Sequence, residues 1–265
     1  MLLFWALAVA GLLTPPLRVV VNIPAYRLEA FVGDSVVMTM RVAPGMPRYR
    51  TPRGSFAITR VEWNPWWIPP KSPWAVKEKT TAPGPDNPMG RVKLNFDALY
   101  FLHGSPFEKS IGTAASHGCI RLRNADAVAL ARLVHSFGTP VLSPDSVDAV
   151  AADTSTRAFA LDVPMPVEIR YDVVEVRAGR VFVYRDIYGL AVRSLRDEIT
   201  AVLAERGFDT TRVKEAHLRV FARTRPSRWR SIALDSLVDA PPISGVPTPM
   251  PKLPDRHARQ SPAPL

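Results

Sequence analysis

The single cysteine of the chain, Cys119, lies in a short segment that also holds two of the five histidines. The segment reads HGSPFEKSIGTAASHGCIRLRN over residues 103–124, so His103 and His117 precede the thiol and glycines stand beside it. A thiol attacks only as the thiolate, and a nearby imidazole that accepts its proton overcomes this limit. Backbone N–H groups of a glycine-containing turn can approach a developing oxyanion because no side chain blocks them. The pattern predicts a cysteine–histidine nucleophile for acyl transfer.

Three other interpretations of Cys119 are open from residue type alone. A single cysteine is often only a small buried apolar side chain. A structural zinc site needs four ligands, whereas His103, His117 and Cys119 supply three at a spacing that suits zinc poorly. A papain-like enzyme has its cysteine near the mature N-terminus and its histidine far downstream, the reverse of the order here. We therefore expect a nucleophile and no metal site.

The same residues resemble the L,D-transpeptidase (YkuD-type) family of peptidoglycan enzymes. That family pairs an upstream histidine with an S/T-H-G-C stretch, which residues 103–104 and 116–119 match. The TPRGSF stretch at residues 51–56 is similar to the family's T-P-x-G-x-F turn. NPWWIPP at residues 64–70 and NPMGR at residues 87–91 are similar to a segment that some members carry before the histidine. The resemblance covers about residues 18–143.

The resemblance implies a role for each residue around the thiol. Cys119 is the nucleophile and His103 its base, with the second ring nitrogen of His103 oriented by the carbonyl of Gly104. His117 is the competing candidate for the base, although the family pattern favours a donor to the substrate or intermediate. The N–H groups of Gly118 and Cys119 are the candidates for an oxyanion hole.

Four further residues are expected to bind substrate or to shape its site. The guanidinium of Arg121 suits bidentate binding of a carboxylate, and a surface ion pair is the alternative. Ser116 is expected to fix the loop beside the substrate. Trp66 and Trp67 belong to a tryptophan-rich segment that either anchors the loop in an apolar cluster or forms a lid that excludes water. The tryptophans concerned are Trp63, Trp66, Trp67 and Trp74.

The reaction implied is attack by Cys119 on the amide between an L-centre and a D-residue of a peptidoglycan stem tetrapeptide. D-Ala leaves, and an amine from a second stem resolves the thioester into a crosslink, with no cofactor. Stem peptides are thus the expected donor and acceptor, and carbapenem-type β-lactams are expected to acylate the same thiol. Two alternatives stay open, an L,D-carboxypeptidase that uses water as acceptor and a catalytically idle cell-wall-binding protein.

Charge and composition bear on partners and location. The net charge of +10 is spread without a basic block, so nothing indicates a nucleic-acid partner, and a diffuse positive field favours proximity to anionic envelope polymers or a membrane surface. Residues 1–13 form an apolar run shorter than the roughly 20 residues that span a bilayer, and similar to the apolar core of a signal peptide. No Lys or Arg precedes this run. We expect an exported monomer in the periplasm or cell envelope.

The elements that must position these residues are mainly strands. Branched and aromatic runs separated by turn signals, such as Gly33-Asp34, indicate hairpins, and a strand leads into His103. Asn124 is the expected N-cap of a helix that stops at Gly138, and a closing strand is expected at residues 141–142.

The predicted fold is a mainly β, L,D-transpeptidase-like mixed β-sandwich with a helix after the catalytic loop and a small α+β C-terminal extension. The expected divisions are a signal-like apolar segment at 1–17, a catalytic domain at 18–143, a linker at 144–163, an extension of unknown role at 164–238 and a disordered Pro-rich tail at 239–265.

Overall fold

The computed structural model describes residues 15–239. The signal-like run and the Pro-rich tail fall almost wholly outside these residues. Within the described range, no helix has both the length and the apolar character needed to cross a membrane.

Eleven strands and four α-helices are formed by residues 15–239. The strands are β1 (Leu17–Asn22), β2 (Arg27–Val32), β3 (Ser35–Arg41), β4 (Gly54–Trp63), β5 (Val92–Asn95), β6 (Phe101–Ser105), β7 (Ile120–Arg123), β8 (Arg157–Arg170), β9 (Val174–Arg177), β10 (Arg180–Tyr184) and β11 (Trp229–Ala233). The helices are α1 (Asn124–Gly138), α2 (Pro144–Ala152), α3 (Leu195–Glu205) and α4 (Glu215–Phe221). With 34% of residues in strands and 24% in helices, the mainly β class is confirmed.

Eight of the strands form one mixed sheet in the order β3-β2-β1-β8-β4-β5-β6-β7. The β1–β8 and β6–β7 pairs are parallel and the other neighbours are antiparallel. The hairpin expected at Gly33-Asp34 joins β2 to β3, and Gly33 has a φ of 58°, which glycine adopts without strain.

The two edges of this sheet are brought together after β3 ends. Ala43 pairs with Arg121 of β7, and the two residues exchange N–H···O bonds of 2.9 and 3.0 Å. Gly45 then bridges to Ser116. The sheet therefore curls on itself, and the segment after β3 packs against the loop that carries His117 and Cys119.

Helix α1 covers one side of the curled sheet with Leu130, Ala131 and Val134, all fully buried. Its bounds match the prediction, but Asn124 is not the N-cap. Arg123 holds that position without a side-chain cap, and the Asn124 carboxamide instead accepts the Arg91 N–H at 2.9 Å.

The expectation of a linker at residues 144–163 is wrong, as is that of a strand at 141–142. Val141 is 86% exposed beside a turn, and Ser143 caps α2 by accepting the Ser146 N–H at 3.1 Å. The strand that completes the sheet is β8, which lies between β1 and β4.

Two prolines, Pro164 and Pro166, lie within β8, and the sheet accommodates both. The ladder to β4 shifts register between Ile58 and Arg60, opposite the stretch that contains Pro164. The ladder to β1 starts only at Val167, one residue beyond Pro166. Neither proline therefore removes a donor from an intact two-sided ladder, and a strand with Pro can lie inside the sheet.

The predicted α+β extension is confirmed, although it begins later than expected. Strands β11, β10 and β9 form a separate antiparallel sheet, and β8 of the large sheet runs to Arg170 before it. The expected hairpin turn at Ala178-Gly179 joins β9 to β10 with φ values of 46° and 69°, the left-handed pair that tight hairpins need. The separate core of this unit comprises chiefly Val181, Val183, Ile199, Leu203 and Leu218.

Candidate active site

Parallel pairing of β6 with β7 brings the predicted base and nucleophile onto neighbouring strands. Leu102 lies opposite Ile120, and His103 lies opposite Arg121. Cys119 directly precedes β7, so the thiol stands at the start of the strand that flanks the histidine. His103 lies in the middle of β6 and not at its end. Its backbone is therefore flanked by β5 on one side and by β7 on the other.

His103 is held as a neutral imidazole. Its side chain is buried, and Nδ1 lies 2.6 Å from the carbonyl oxygen of Gly104. Because a carbonyl oxygen only accepts, Nδ1 carries the proton and donates it, which leaves Nε2 free to take a proton. Burial lowers the pKa of His103 to about 4; the bond to Gly104 opposes this change, and the positive charges of Arg121 and Lys93 add to it.

Cys119 is held as a protonated thiol. Burial raises its pKa to about 11, against the opposing effects of a backbone hydrogen bond from Phe101 and the charges of Arg121 and Lys93. Its Sγ lies 3.8 Å from the carbonyl oxygen of Leu99. The resting pair is thus neutral, so an attack by this thiol would require the loss of its proton.

The loop before β7 is fixed by hydrogen bonds from its own Ser116 and from Thr51. The Ser116 hydroxyl donates to the Cys119 carbonyl and accepts the Gly118 N–H at 3.1 Å. Thr51 Oγ1 donates to the Gly118 carbonyl at 2.8 Å. Ser116 is 1% exposed and bonds within the loop, as expected for a residue that fixes it, whereas its contact with substrate stays a prediction.

These bonds also narrow the candidates for an oxyanion hole. The Gly118 N–H is already engaged by Ser116, so the prediction that it stabilises an oxyanion is wrong for this arrangement. Within residues 15–239, the Cys119 N–H has no hydrogen-bond acceptor. A glycine is nevertheless required at position 118 by the conformation of the loop, since its φ is 112° and a Cβ there would lie 2.6 Å from the Tyr100 ring.

A second close approach brings the segment before β5 against the strand of the histidine. A Cβ on Gly90 would lie 2.5 Å from the Gly104 carbonyl carbon, and one on either glycine would meet Asn124 Oδ1 at 2.1 or 2.2 Å. The same oxygen accepts the Arg91 N–H. Two glycines and one carboxamide thus set the backbone beside His103.

His117 lies in an aromatic setting that differs from that of His103. Its ring stacks on Trp74, with centroids 3.8 Å apart and planes 10° apart, and Tyr49 lies at 4.6 Å on a tilted plane. Burial lowers the pKa of His117, Arg121 adds to the shift, and Glu78 opposes it. Sequence reasoning did not pair His117 with these two rings, because no local spacing relates residues so far apart.

The other tryptophans have different surroundings. Trp67 is largely buried, and its backbone pairs with that of Thr81 through two N–H···O bonds of 2.9 Å, so it anchors the loop. Trp63 is a core residue of β4 and donates to His135 Nε2 at 3.1 Å. Trp66 is 50% exposed, and its expected contact with substrate stays a prediction.

Arg121 lies close enough to influence both histidines and the thiol electrostatically. Burial lowers its own pKa, and the guanidinium carbon lies 5.8 Å from the centre of the Phe107 ring. No carboxylate of residues 15–239 lies within 4.0 Å of this guanidinium, so the alternative of a surface ion pair does not apply to that range. A cation so placed suits an anionic group of a substrate.

A residue from beyond β8 supports the loop from behind. The Tyr188 hydroxyl donates to the Gly45 carbonyl at 2.7 Å and accepts the Thr51 N–H at 3.2 Å. Gly45 N–H in turn donates to Thr51 Oγ1 at 2.8 Å, the hydroxyl that holds the Gly118 carbonyl. The catalytic loop is therefore braced by the part of the chain whose role the sequence left open.

Comparison with known proteins places these features in context. Residues 16–143 match the family model described as the L,D-transpeptidase catalytic domain. The chain is 30% identical over 156 residues to the putative L,D-transpeptidase YqjB of Bacillus subtilis, covering 56% of this chain and 84% of that protein. It is 36% identical over 117 residues to the probable L,D-transpeptidase ErfK/SrfK of Salmonella typhimurium, covering 41% of this chain but only 38% of that relative. A solved structure of an L,D-transpeptidase from Mycobacterium smegmatis aligns with a TM-score of 0.38 and 17% identity over 58% of each chain.

Proposed function

Because the chain belongs to the L,D-transpeptidase family, we propose that it crosslinks peptidoglycan stem peptides through a thioester on Cys119. The observation that carries the proposal is the pairing of β6 with β7, which sets a neutral imidazole beside the strand that the thiol precedes. Nδ1 of His103 is committed to Gly104, so the ring has one nitrogen left for a proton.

In the proposed first half-reaction, Cys119 Sγ attacks the carbonyl carbon of the L-centre as its proton passes to His103 Nε2. The Cys119 N–H is the donor available to the resulting oxyanion. Collapse breaks the C–N bond, and the departing D-Ala nitrogen takes the proton from the imidazolium. A thioester remains, and the imidazole is neutral again.

In the second half-reaction, an amine of another stem attacks the thioester and gives its proton to His103. The C–S bond breaks, the imidazolium returns the proton to sulfur, and an amide crosslink is left. Arg121 pairs with a stem carboxylate, and His117 donates to the substrate or intermediate. The Trp74 ring over His117 keeps water from the thioester, which favours an amine as acceptor.

Product analysis with a purified stem donor tests the proposal. The protein is incubated with a diaminopimelate-containing tetrapeptide muropeptide, and products are separated by liquid chromatography with mass detection. We expect crosslinked dimers and free D-Ala, both lost in Cys119→Ala. Trimmed tripeptide without dimer would identify an L,D-carboxypeptidase. Neither product from a folded protein with a free thiol would favour a cell-wall-binding protein.

The substrate also governs the proposed location and partners. Peptidoglycan stems lie outside the cytoplasmic membrane, so we propose that the protein acts in the periplasm or cell envelope. The net charge of +10, which is spread along the chain without a basic block, suits residence near anionic envelope polymers. Cell fractionation against periplasmic and cytoplasmic marker enzymes checks this location.

A further inference from the structure

A cavity of about 730 Å³ that the proposed reaction does not use lies between the large sheet and the extension. One wall comes from β2 and from residues 112–114 of the catalytic loop, and the other from β10 and residues 227–229. Backbone bonding joins parts of the second wall, since the Arg185 N–H donates to the Arg228 carbonyl at 2.7 Å.

The cavity is strongly cationic. Two of its arginines are neutralised, because Arg27 contacts Glu29 and Glu175 at 3.1 and 2.7 Å and Arg177 contacts Glu29 at 2.8 Å. The other three arginines that line the cavity, Arg41, Arg185 and Arg228, have no carboxylate within 4.0 Å among residues 15–239. No Asp or Glu among these residues lines the cavity. Five arginines against two glutamates leave three positive charges. The five are Arg27, Arg41, Arg177, Arg185 and Arg228.

An aromatic surface accompanies these charges. Trp229 is 61% exposed, and its ring lies 6.1 Å from that of Phe182, which stacks in turn beside Tyr184 at 6.3 Å. The Tyr184 hydroxyl is held by Arg27 at 3.1 Å and by Glu175 at 2.9 Å, so this side of the cavity is fixed. An exposed indole beside free guanidinium groups suits a ligand with an apolar ring face and an acidic group.

The cavity also lies within reach of the thiol. Residues 112–114 line it, and Cys119 lies only five positions after Ala114. A chain segment of that length spans at most ~18 Å when fully extended. One polymer could therefore contact the cavity and the catalytic loop together.

We propose that this cavity binds saccharide units that carry carboxylates, with a sugar ring against Trp229 and the acid groups between Arg41, Arg185 and Arg228. The ligand class is an anionic glycan strand. Its link to the reaction, through stretches of wall glycan whose muramic acid units carry no stem peptide, rests on the proposed function, whereas the binding itself does not.

Titration of the Cys119→Ala protein with an acidic and a neutral glycan tests the site. The measurement reports binding alone and needs no turnover. The probe is a peptide-free peptidoglycan glycan strand whose muramic acid units carry free carboxylates, and the control probe is a neutral chitin oligosaccharide of equal length. We expect the acidic strand to bind at least about tenfold more tightly, which corresponds to one good charged contact. Isothermal titration and quenching of tryptophan fluorescence report the binding.

Three variants assign the binding to the cavity. Arg185→Ala combined with Arg228→Ala is expected to weaken binding of the acidic strand by about tenfold or more, and Trp229→Ala is expected to weaken binding of the strand as well. Arg219→Ala removes one positive charge from an exposed position on α4 outside the cavity and is expected to leave binding unchanged.

Equal binding of acidic and neutral strands would overturn the proposal, as would an equal effect of Arg219→Ala. Binding of single-stranded DNA of matched charge as tightly as the glycan would also overturn it. Loss of crosslinking with intact glycan binding would contradict only the proposed function, so the two failures are distinguishable.

Discussion

The thiol and the imidazole of this site are both neutral at rest, with pKa values of about 11 for Cys119 and about 4 for His103. Burial is the main cause of both shifts, because it disfavours the charged form of either group. In the proposed mechanism the proton must therefore move during attack, and the bond from Nδ1 to Gly104 leaves Nε2 as the nitrogen to receive it.

Exchanging each histidine for glutamine separates the base from the neighbouring donor. We expect His103→Gln to lower kcat by about 10²–10⁴, the usual contribution of a general base, because glutamine cannot accept the thiol proton. His117→Gln is expected to cost less, since His117 stacks on Trp74 and lies opposite no part of β6. Steady-state crosslinking assays measure both effects.

His217→Gln serves as the control for these exchanges. His217 is exposed on α4, and its ring bonds the Ser236 carbonyl, away from the thiol, so the activity of this variant should equal that of the parent protein. A larger loss with His117→Gln than with His103→Gln, in proteins of equal thermal stability, would make His117 the base.

Thiol reactivity against pH checks the neutral resting pair. With a thiol pKa of about 11, the alkylation rate of free Cys119 by iodoacetamide should rise steadily, close to tenfold per pH unit between about pH 7 and 9. Quenched reactions analysed by mass spectrometry give the rate. A plateau that begins below pH 7 would show a thiolate already paired with an imidazolium and would contradict the assignment.

Among the elements, the closure of the sheet is what assembles the site. The pairing of Ala43 with Arg121 and the bridge from Gly45 to Ser116 hold the segment after β3 against the catalytic loop. The Pro-rich loop adds Trp74 from another direction. The site thus draws on segments that are far apart in the chain and meet only in the curled sheet.

Removing the Trp74 ring tests its proposed role as a cover over His117. An aromatic pair contributes about 0.5–1.5 kcal/mol, so we expect Trp74→Ala to increase hydrolysis relative to crosslinking by about two- to tenfold. The ratio of trimmed to dimeric product measures the change. Ile68→Ala is the control, because Ile68 is 72% exposed on the same loop and has no predicted role in the site; an equal change in that variant would refute a specific role for Trp74.

Local patterns in the sequence predicted many elements and the central residues of the candidate site. Turn residues such as Gly33 marked the hairpins, and the helix over residues 124–138 followed from its apolar spacing and Gly138. The turns and the helix depend on short-range chemistry, which a sequence displays directly. The hydrogen bond between His103 and Gly104 was expected from the resemblance to the family.

Features that depend on distant pairing were missed. Strand β8 lies beside β1 through pairs such as Val19 with Val167, whereas the Pro-, Ser-, Asp- and Ala-rich stretch before it was interpreted as a linker. The stacking of Trp74 on His117 likewise requires the folded loop. The Gly118 N–H donates to the Ser116 hydroxyl because of the side-chain geometry of the folded loop, which residue spacing does not predict.

In the molecule as a whole, the part of the chain beyond β8 contributes to the catalytic loop through one buried hydroxyl. Tyr188 bonds Gly45 and Thr51, and Thr51 bonds Gly118. Removal of that hydroxyl leaves buried backbone groups without this partner, at a cost of about 1–3 kcal/mol. The extension therefore helps to hold the loop that carries Cys119 in place, although none of its described residues bonds the thiol itself.

We expect Tyr188→Phe to lower kcat by about tenfold with a smaller change in KM, because the loop loses its support while the binding groups remain. Thr139→Val is the control: it removes a buried hydroxyl bonded to His135 on α1, away from the loop. It should reduce the thermal midpoint without reducing kcat. If both variants lowered kcat in proportion to stability, Tyr188 would have only a structural role.

Intact-protein mass spectrometry during incubation with a stem tetrapeptide shows whether Cys119 carries a thioester. The thioester mechanism predicts an adduct on the wild-type protein that equals the mass of the donor minus D-Ala, absent in Cys119→Ala. The adduct should disappear when an amine acceptor is added. A turnover-competent protein that never carries this adduct, or a Cys119→Ala variant that retains full crosslinking activity, would contradict the thioester mechanism.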